Sequence, residues 1–153
     1  MNAGVRHPGW HWRWAAAWAA GWLGVALHGA EAGALRASRP EVKKEVVAVI
    51  DAQLAAFRAG DAAKAYGYAA GPLRAQHPLR IFAAIVRNNY PEIWANLRAE
   101  YGLVRDNGTH ATVLVHVFAP EGGAAFDYVL LQERAGWRIG SVVRHEPRKK
   151  DSV

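Results

Sequence analysis

Cysteine is absent from the 153 residues, which excludes disulfides, thiolate zinc sites, iron–sulfur clusters and cysteine nucleophiles together. Serine is almost as scarce, occurring only as Ser38, Ser141 and Ser152. Ser38 precedes a helix signal and Ser152 lies in the tail. Ser141 has neither a nearby aspartate nor a nucleophile-elbow glycine pattern, so a hydrolytic triad has no support. No glycine-rich loop opens a helix in the manner that cradles phosphate, so no nucleotide cofactor is expected, and no cofactor of another kind is indicated. There is no internal repeat. The apolar run at residues 14–27 is fourteen residues long, short of the about twenty that span a bilayer.

Composition then bounds what the chain is. With 52% hydrophobic residues over 153 positions, one domain buries an adequate core without metal or disulfide staples. Lys and Arg number 19 against 13 Asp and Glu, a formal charge of +6 spread along the chain. Such a surplus favours anionic neighbours such as lipid headgroups, cell-wall polymers or acidic ligands. The plainer reading is a solvated basic surface. Without a recognition helix or an aromatic–basic stripe, nucleic acid is not an expected partner.

Residues 1–13 are polar and positive, with Arg6 and Arg13 and no acid; the apolar run 14–27 follows, and then Ala30-Glu31-Ala32. A positive segment, an apolar segment and an A-x-A exit predict a secretory signal peptide over 1–32, cleaved after Ala32 or Ala30, and hence a periplasmic or secreted protein. Five of the seven Trp lie in this leader, and an aromatic leader of this kind also suits an uncleaved interfacial anchor, which would be the only membrane contact expected. The remaining expectations are a linker at 33–40, an α+β domain at 41–144 and a basic tail at 145–153.

In the domain, Ser38-Arg39-Pro40-Glu41 has capping-box spacing and predicts a helix start. Val42, Val46, Val49, Ile50, Gln53, Leu54 and Phe57 recur at helical spacing and predict one buried stripe. Gly60 suits the position that ends this helix, and Asp61 suits the cap of a second helix over 62–70, stopped at Gly71-Pro72. Residues 73–77 read as a connector. Leu79, Phe82, Ile85 and Val86 predict a third helix, broken at Tyr90-Pro91, after which helical signals end. Leu97, Ala99, Tyr101 and Leu103 alternate inward on a first strand, Asp106-Asn107-Gly108 is a hairpin signal, and residues 109–118 form a second strand apolar on both faces. Turns at 120–123 and 134–136 bound two more strands. Helices followed by a four-stranded antiparallel meander make an α+β layout, with the helices on one face of a curved sheet.

The pattern Val49-Ile50-x-x-Gln53-Leu54-x-Ala56-Phe57-x-x-Gly60-Asp61, with Val86-Arg87-x-x-Tyr90 and Gly136-Trp137-Arg138-Ile139, resembles the nuclear-transport-factor-2-like superfamily of α+β cone folds. More narrowly, it resembles an uncharacterised bacterial family within it, many of whose members are exported. The resemblance covers about residues 41–143. It implies a cone between helices and sheet that serves as the pocket. It implies no chemistry, because the superfamily holds isomerases, dehydratases, hydrolases, binding modules and assembly domains.

The candidate acid/base residues are Asp61 and His116, and each has a plainer reading. An aspartate after a helix-ending glycine is an N-cap, and a histidine among Leu114, Val115, Val117 and Phe118 is a core or interface residue. Tyr66, Tyr90, Tyr128, Trp137 and Arg87 are the candidate ligand-binding residues. A tyrosine hydroxyl donates to a carbonyl, and a guanidinium holds a carboxylate or phosphate in two bonds. A pairing of Arg87 with Glu92 is the alternative there. His110 and His116, six residues apart on one strand face, stand about 20 Å from each other and share no metal, so no metal site is expected. Three functional readings stand: non-catalytic binding of a small apolar or amphipathic ligand, or of a partner protein, in the helix–sheet cone; a cofactor-independent isomerase or lyase using a pocket Asp, His or Tyr; and a homodimeric module associating through the sheet.

Overall fold

The computed structural model describes residues 33–147; the signal-peptide expectation and the end of the basic tail lie outside them. In this part of the chain a layer of helices covers one face of a mixed-length antiparallel sheet. Strand β1 (Arg36–Ala37) is followed by helices α1 (Pro40–Arg58), α2 (Ala62–Tyr66), α3 (Gly71–Gln76), α4 (Leu79–Asn89) and α5 (Pro91–Trp94). Strands β2 (Arg98–Tyr101), β3 (Arg105–Asp106), β4 (His110–Ala119), β5 (Gly122–Glu133) and β6 (Gly136–Arg144) complete the order. No described helix is long and apolar enough to cross a membrane.

Helix α1 follows its apolar stripe. Val46, Ile50, Gln53, Leu54 and Phe57 are buried, each large apolar side chain contributing about 1.5–3 kcal/mol. Pro40 takes the first position, where its missing N–H costs nothing. The expected capping box does not form. Arg39 occupies the cap position without a side-chain bond, because the Ser38 hydroxyl donates instead to Asp106 and its N–H to Val104 O at 2.9 Å. Strand pairing by β1 has claimed that serine. The helix ends as Gly60 predicts. With φ of +72°, Gly60 donates to Phe57 O and Asp61 to Ala56 O, both at 2.9 Å, the paired closure that satisfies the last carbonyls.

The helical region after the corner differs from the sequence expectation. Helix α2 stops at Tyr66 rather than residue 70, because the backbone at 68–70 bonds the edge of β6: Ile139 N donates to Tyr68 O and Ala70 N to Ile139 O, each at 2.8 Å. Gly71-Pro72 begins a helix rather than ending one, since proline is tolerated in a first turn, and the Glu133 carboxylate accepts from Gly71 N at 2.7 Å. The expected connector at 73–77 is therefore largely α3. Helix α4 buries Phe82 and Val86 of the predicted pattern while Leu79 in its first turn is exposed, and Tyr90-Pro91 breaks it, only for Pro91 to open the further short helix α5.

The sheet has six strands rather than four. Two additions, β1 and β3, are two residues long, too short to show any periodicity. The first expected strand, 97–103, is cut to Arg98–Tyr101. β2 and β3 pair with the same edge of β4, through Arg98–Tyr101 against Val115–Phe118 and Arg105–Asp106 against Ala111–Thr112. Gly102 lies between them, its N–H donating to Leu114 O at 2.8 Å, and Leu97 and Leu103 turn out to solvent at 61% exposure each. The strand order is β1-β3-β4-β5-β6. A register shift between Val129 and Leu130 leaves Gly140 as the extra residue on β6. The core fills the space between layers, with Ile50, Leu54, Val115, Phe126, Tyr128, Leu130 and Ile139 all at 1% exposure or less.

Candidate functional site

An open cleft of 630 Å³ lies where the first turns of α1 meet one end of the sheet. Its wall on one side is the start of α1, with Glu41, Val42 and Glu45; on the other are Asp106 and Asn107 at the β3–β4 turn, and Gln132 and Trp137 across the β5–β6 hairpin. Trp137 pairs with Gln132 in the ladder and is only 4% exposed, so its indole is a floor rather than a rim. Arg36 and Arg39 complete the lining from the segment ahead of α1. The turn is held stiffly. Asp106 accepts from the Ser38 hydroxyl and from Gly108 N, and Asn107 both donates to Gly33 O at 3.0 Å and accepts from His110 N at 2.8 Å.

Chemically this is an apolar floor under exposed charges of both signs. Its volume lies within the ~300–1,000 Å³ range of small-molecule sites. It offers orientation by charge and contact with an aromatic face. Among the described residues no group of three or more His, Asp or Glu is placed to hold a metal. A second cleft, of 380 Å³, lies between α5 and the β4–β5 turn, lined by Glu92, Glu121 and small residues. Glu92 is already engaged there by Arg144, in bonds of 2.8 and 3.1 Å.

The residues singled out from the sequence are dispersed. Asp61 caps α2, its Oδ1 accepting from Lys64 N at 2.9 Å. His116 is exposed on the sheet face opposite the helices, beside Glu100 across the ladder. The Tyr66 hydroxyl shares its one proton between His77 O at 2.8 Å and Arg74 O at 3.0 Å, and Tyr90 donates to Val142 O at 3.2 Å. Burial raises the pKa of Tyr90. Tyr128 is fully buried with no partner for its hydroxyl among the described residues, and burial pushes its pKa far up. Arg87 lies over the Trp94 ring at 4.6 Å, while Glu92, its expected mate, takes Arg144. That bidentate bond holds Glu92 below the usual carboxylate range and raises Arg144. Of all these candidates, Trp137 alone lines either cleft.

The charged lining at Arg36, Arg39, Glu41, Glu45 and Asp106 was not legible beforehand. The one available signal was the density of charge and turn residues just ahead of a helix start, which also describes ordinary surface. Tyr101 was read only as an inward strand residue. Its hydroxyl donates to Asp51, and burial together with that bond raises its pKa strongly. Asn96 is buried at 2%, donating to Leu54 O and Ile93 O and accepting from Arg58. It ties the end of the helical layer to α1.

Helices on one face of an open antiparallel sheet, with a charged cleft at one end of the wedge, define an α+β domain. The chain belongs to the family described as Domain of unknown function (DUF4864), whose model matches residues 39–152. It matches none of the curated proteins and none of the solved structures with which it was compared.

Proposed function

We propose that this is an exported, non-catalytic binding module of the nuclear-transport-factor-2-like cone type, taking a small amphipathic ligand at the open end of its helix–sheet wedge. The cleft of 630 Å³ over Trp137 supports this. The interior of the wedge is occupied by Phe126, Tyr128, Leu130, Ile50 and Leu54, so the ligand is confined to the mouth. Its apolar part lies on Trp137 and Val42. Its polar part meets lining charges of both signs, Arg36 and Arg39 together with Glu41, Glu45 and Asp106, which favours a zwitterion over a molecule of one charge. The non-catalytic reading is supported by the separation of Asp61 and His116 onto a helix cap and the outer sheet face. Export is supported by the charge, apolar run and Ala30-Glu31-Ala32 exit of residues 1–32.

Titration calorimetry with dodecylphosphocholine below its micelle threshold, against decanoate and decyltrimethylammonium, tests the assignment. The zwitterion is expected to bind more tightly than either control. Arg39→Ala is expected to weaken it and decanoate, and Trp137→Phe to weaken all three, by about tenfold, or roughly 1.4 kcal/mol. No binding by any of the three, or binding indifferent to both substitutions, overturns it.

A further inference from the structure

Helices α2, α3 and α4 contain no acidic residue. From Ala62 to Pro91 the charged side chains are Lys64, Arg74, Arg80 and Arg87, with His77 the one other titratable base. All four cations are exposed, and none makes an ion pair among the described residues. The acids that border this stretch are engaged by the protein itself: Asp61 caps α2 through Lys64 N, Glu92 is held by Arg144, and Glu133 accepts from Gly71 N.

The same region turns apolar side chains to solvent. Leu79 is 38% and Ile81 49% exposed, one on each side of Arg80 in the first turn of α4, while Phe82 and Val86 form the buried stripe of that helix. A lone exposed Leu or Ile is ordinary. Two of them flanking an arginine make an apolar tip on a basic helix. Arg87 follows Arg80 by two turns, about 10 Å along the axis and on the same side, and its guanidinium lies 4.6 Å from the Trp94 ring. The Tyr66 hydroxyl bonds Arg74 O and His77 O, and its ring lies 5.2 Å from Phe82. The end of α3, with Arg74, is thereby fixed beside the start of α4.

A helix surface that mixes exposed Leu and Ile with arginine suits the boundary between water and an anionic bilayer, where apolar side chains enter among the headgroups and guanidinium groups stay with the phosphates. A soluble polyanion gains from the charges alone and nothing from Leu79 or Ile81. We propose that this surface of α3 and α4, centred on Arg80, docks peripherally on a membrane that carries anionic lipid. Leu79 and Ile81 enter the headgroup layer, and Arg74, Arg80 and Arg87 face its phosphates. None of these residues lines the Trp137 cleft, so the proposal is independent of the ligand assignment.

Cosedimentation with vesicles of mixed phosphatidylglycerol and phosphatidylcholine, against phosphatidylcholine alone, tests it. Residues 33–153 are used, because they hold the whole described core and omit the aromatic leader, and circular dichroism verifies that each variant is folded. The expected result is binding to the mixed vesicles that falls as salt is added. Arg80→Glu and Ile81→Ser are each expected to weaken it by about tenfold or more, the first through charge and the second through lost insertion. Arg105→Glu makes the same charge change on β3, towards the other edge of the sheet, and is expected to leave binding nearly unchanged. No binding to the mixed vesicles, equal binding to both kinds, or equal losses from Arg80→Glu and Arg105→Glu overturns the proposal. So does binding indifferent to Ile81→Ser and matched by soluble polyglutamate, which would assign the patch to an acidic macromolecule instead.

Discussion

The two faces of β4 are made from similar residues and live in different surroundings. Ala111, Val113, Val115 and Val117 face the helices and are at most 3% exposed, whereas Thr112, Leu114 and Phe118 on the other face are half-buried and His116 is exposed. Burial is thus decided by the layer that covers a position rather than by the residue type placed there. One face is a filled interior beneath the helices; the other is a surface on which half-buried apolar side chains lie among charges of both signs.

The contrast is broken most directly by removing one large side chain from each face. Phe126→Ala, at 0% exposure, is expected to cost about 3–5 kcal/mol, and Val129→Ala on the outer face about 1 kcal/mol or less, measured in the monomer by urea unfolding. Comparable costs would mean that the outer face is as deeply packed as the inner.

A finer test lies within the inner face, between two tyrosine hydroxyls. Tyr90→Phe loses a bond to Val142 O and is expected to lower stability by about 1 kcal/mol. Tyr128→Phe removes a fully buried hydroxyl that has no partner among the described residues, and is expected to leave stability unchanged or raise it slightly. A loss as large as that of Tyr90→Phe would reveal a hydrogen-bond partner for Tyr128.

The smallest effect concerns the clasp that joins α5 to β6 at the border of the two faces. Arg144 holds the pKa of Glu92 below its ordinary value, so the clasp adds stability above the unfolded-state carboxylate range and loses it as pH falls through the depressed folded pKa. Glu92 and Arg144 are partly exposed, which keeps the gain small. Glu92→Gln is expected to lower stability at pH 7 and to flatten its decline between about pH 5 and 3, followed by urea midpoints at each pH. An unchanged pH profile would assign the acid sensitivity to other carboxylates.

Much of the architecture was legible because periodic signals are local. The stripe from Val46 to Phe57, the Gly60-Asp61 corner, the pattern of α4 and the Asp106-Asn107-Gly108 hairpin each depend on neighbours within a turn or two. The misreadings cluster where distant parts of the chain intervened: Ser38 was drawn to Asp106 and Val104, residues 68–70 to the edge of β6, and the 97–103 strand was cut short at Tyr101. Of the candidate site residues, Asp61 was readable as a cap because capping is a local act. Trp137 was named among the candidate ligand-binding residues as a large aromatic on a strand, but its place under the cleft depends on α1 and the β3–β4 turn.

By itself, then, the sequence determined the α+β class, the position of most elements, the absence of cysteine chemistry and the alternation that gives the sheet its two faces. Tertiary structure decided which face the helices would cover, that the wedge would be filled except at its mouth, that Arg144 rather than Arg87 would take Glu92, and that His116 would point away from the interior. The physical reason is range. Helix and strand periodicity arise from contacts a few residues apart, whereas a cleft is made by side chains brought together from distant parts of the chain.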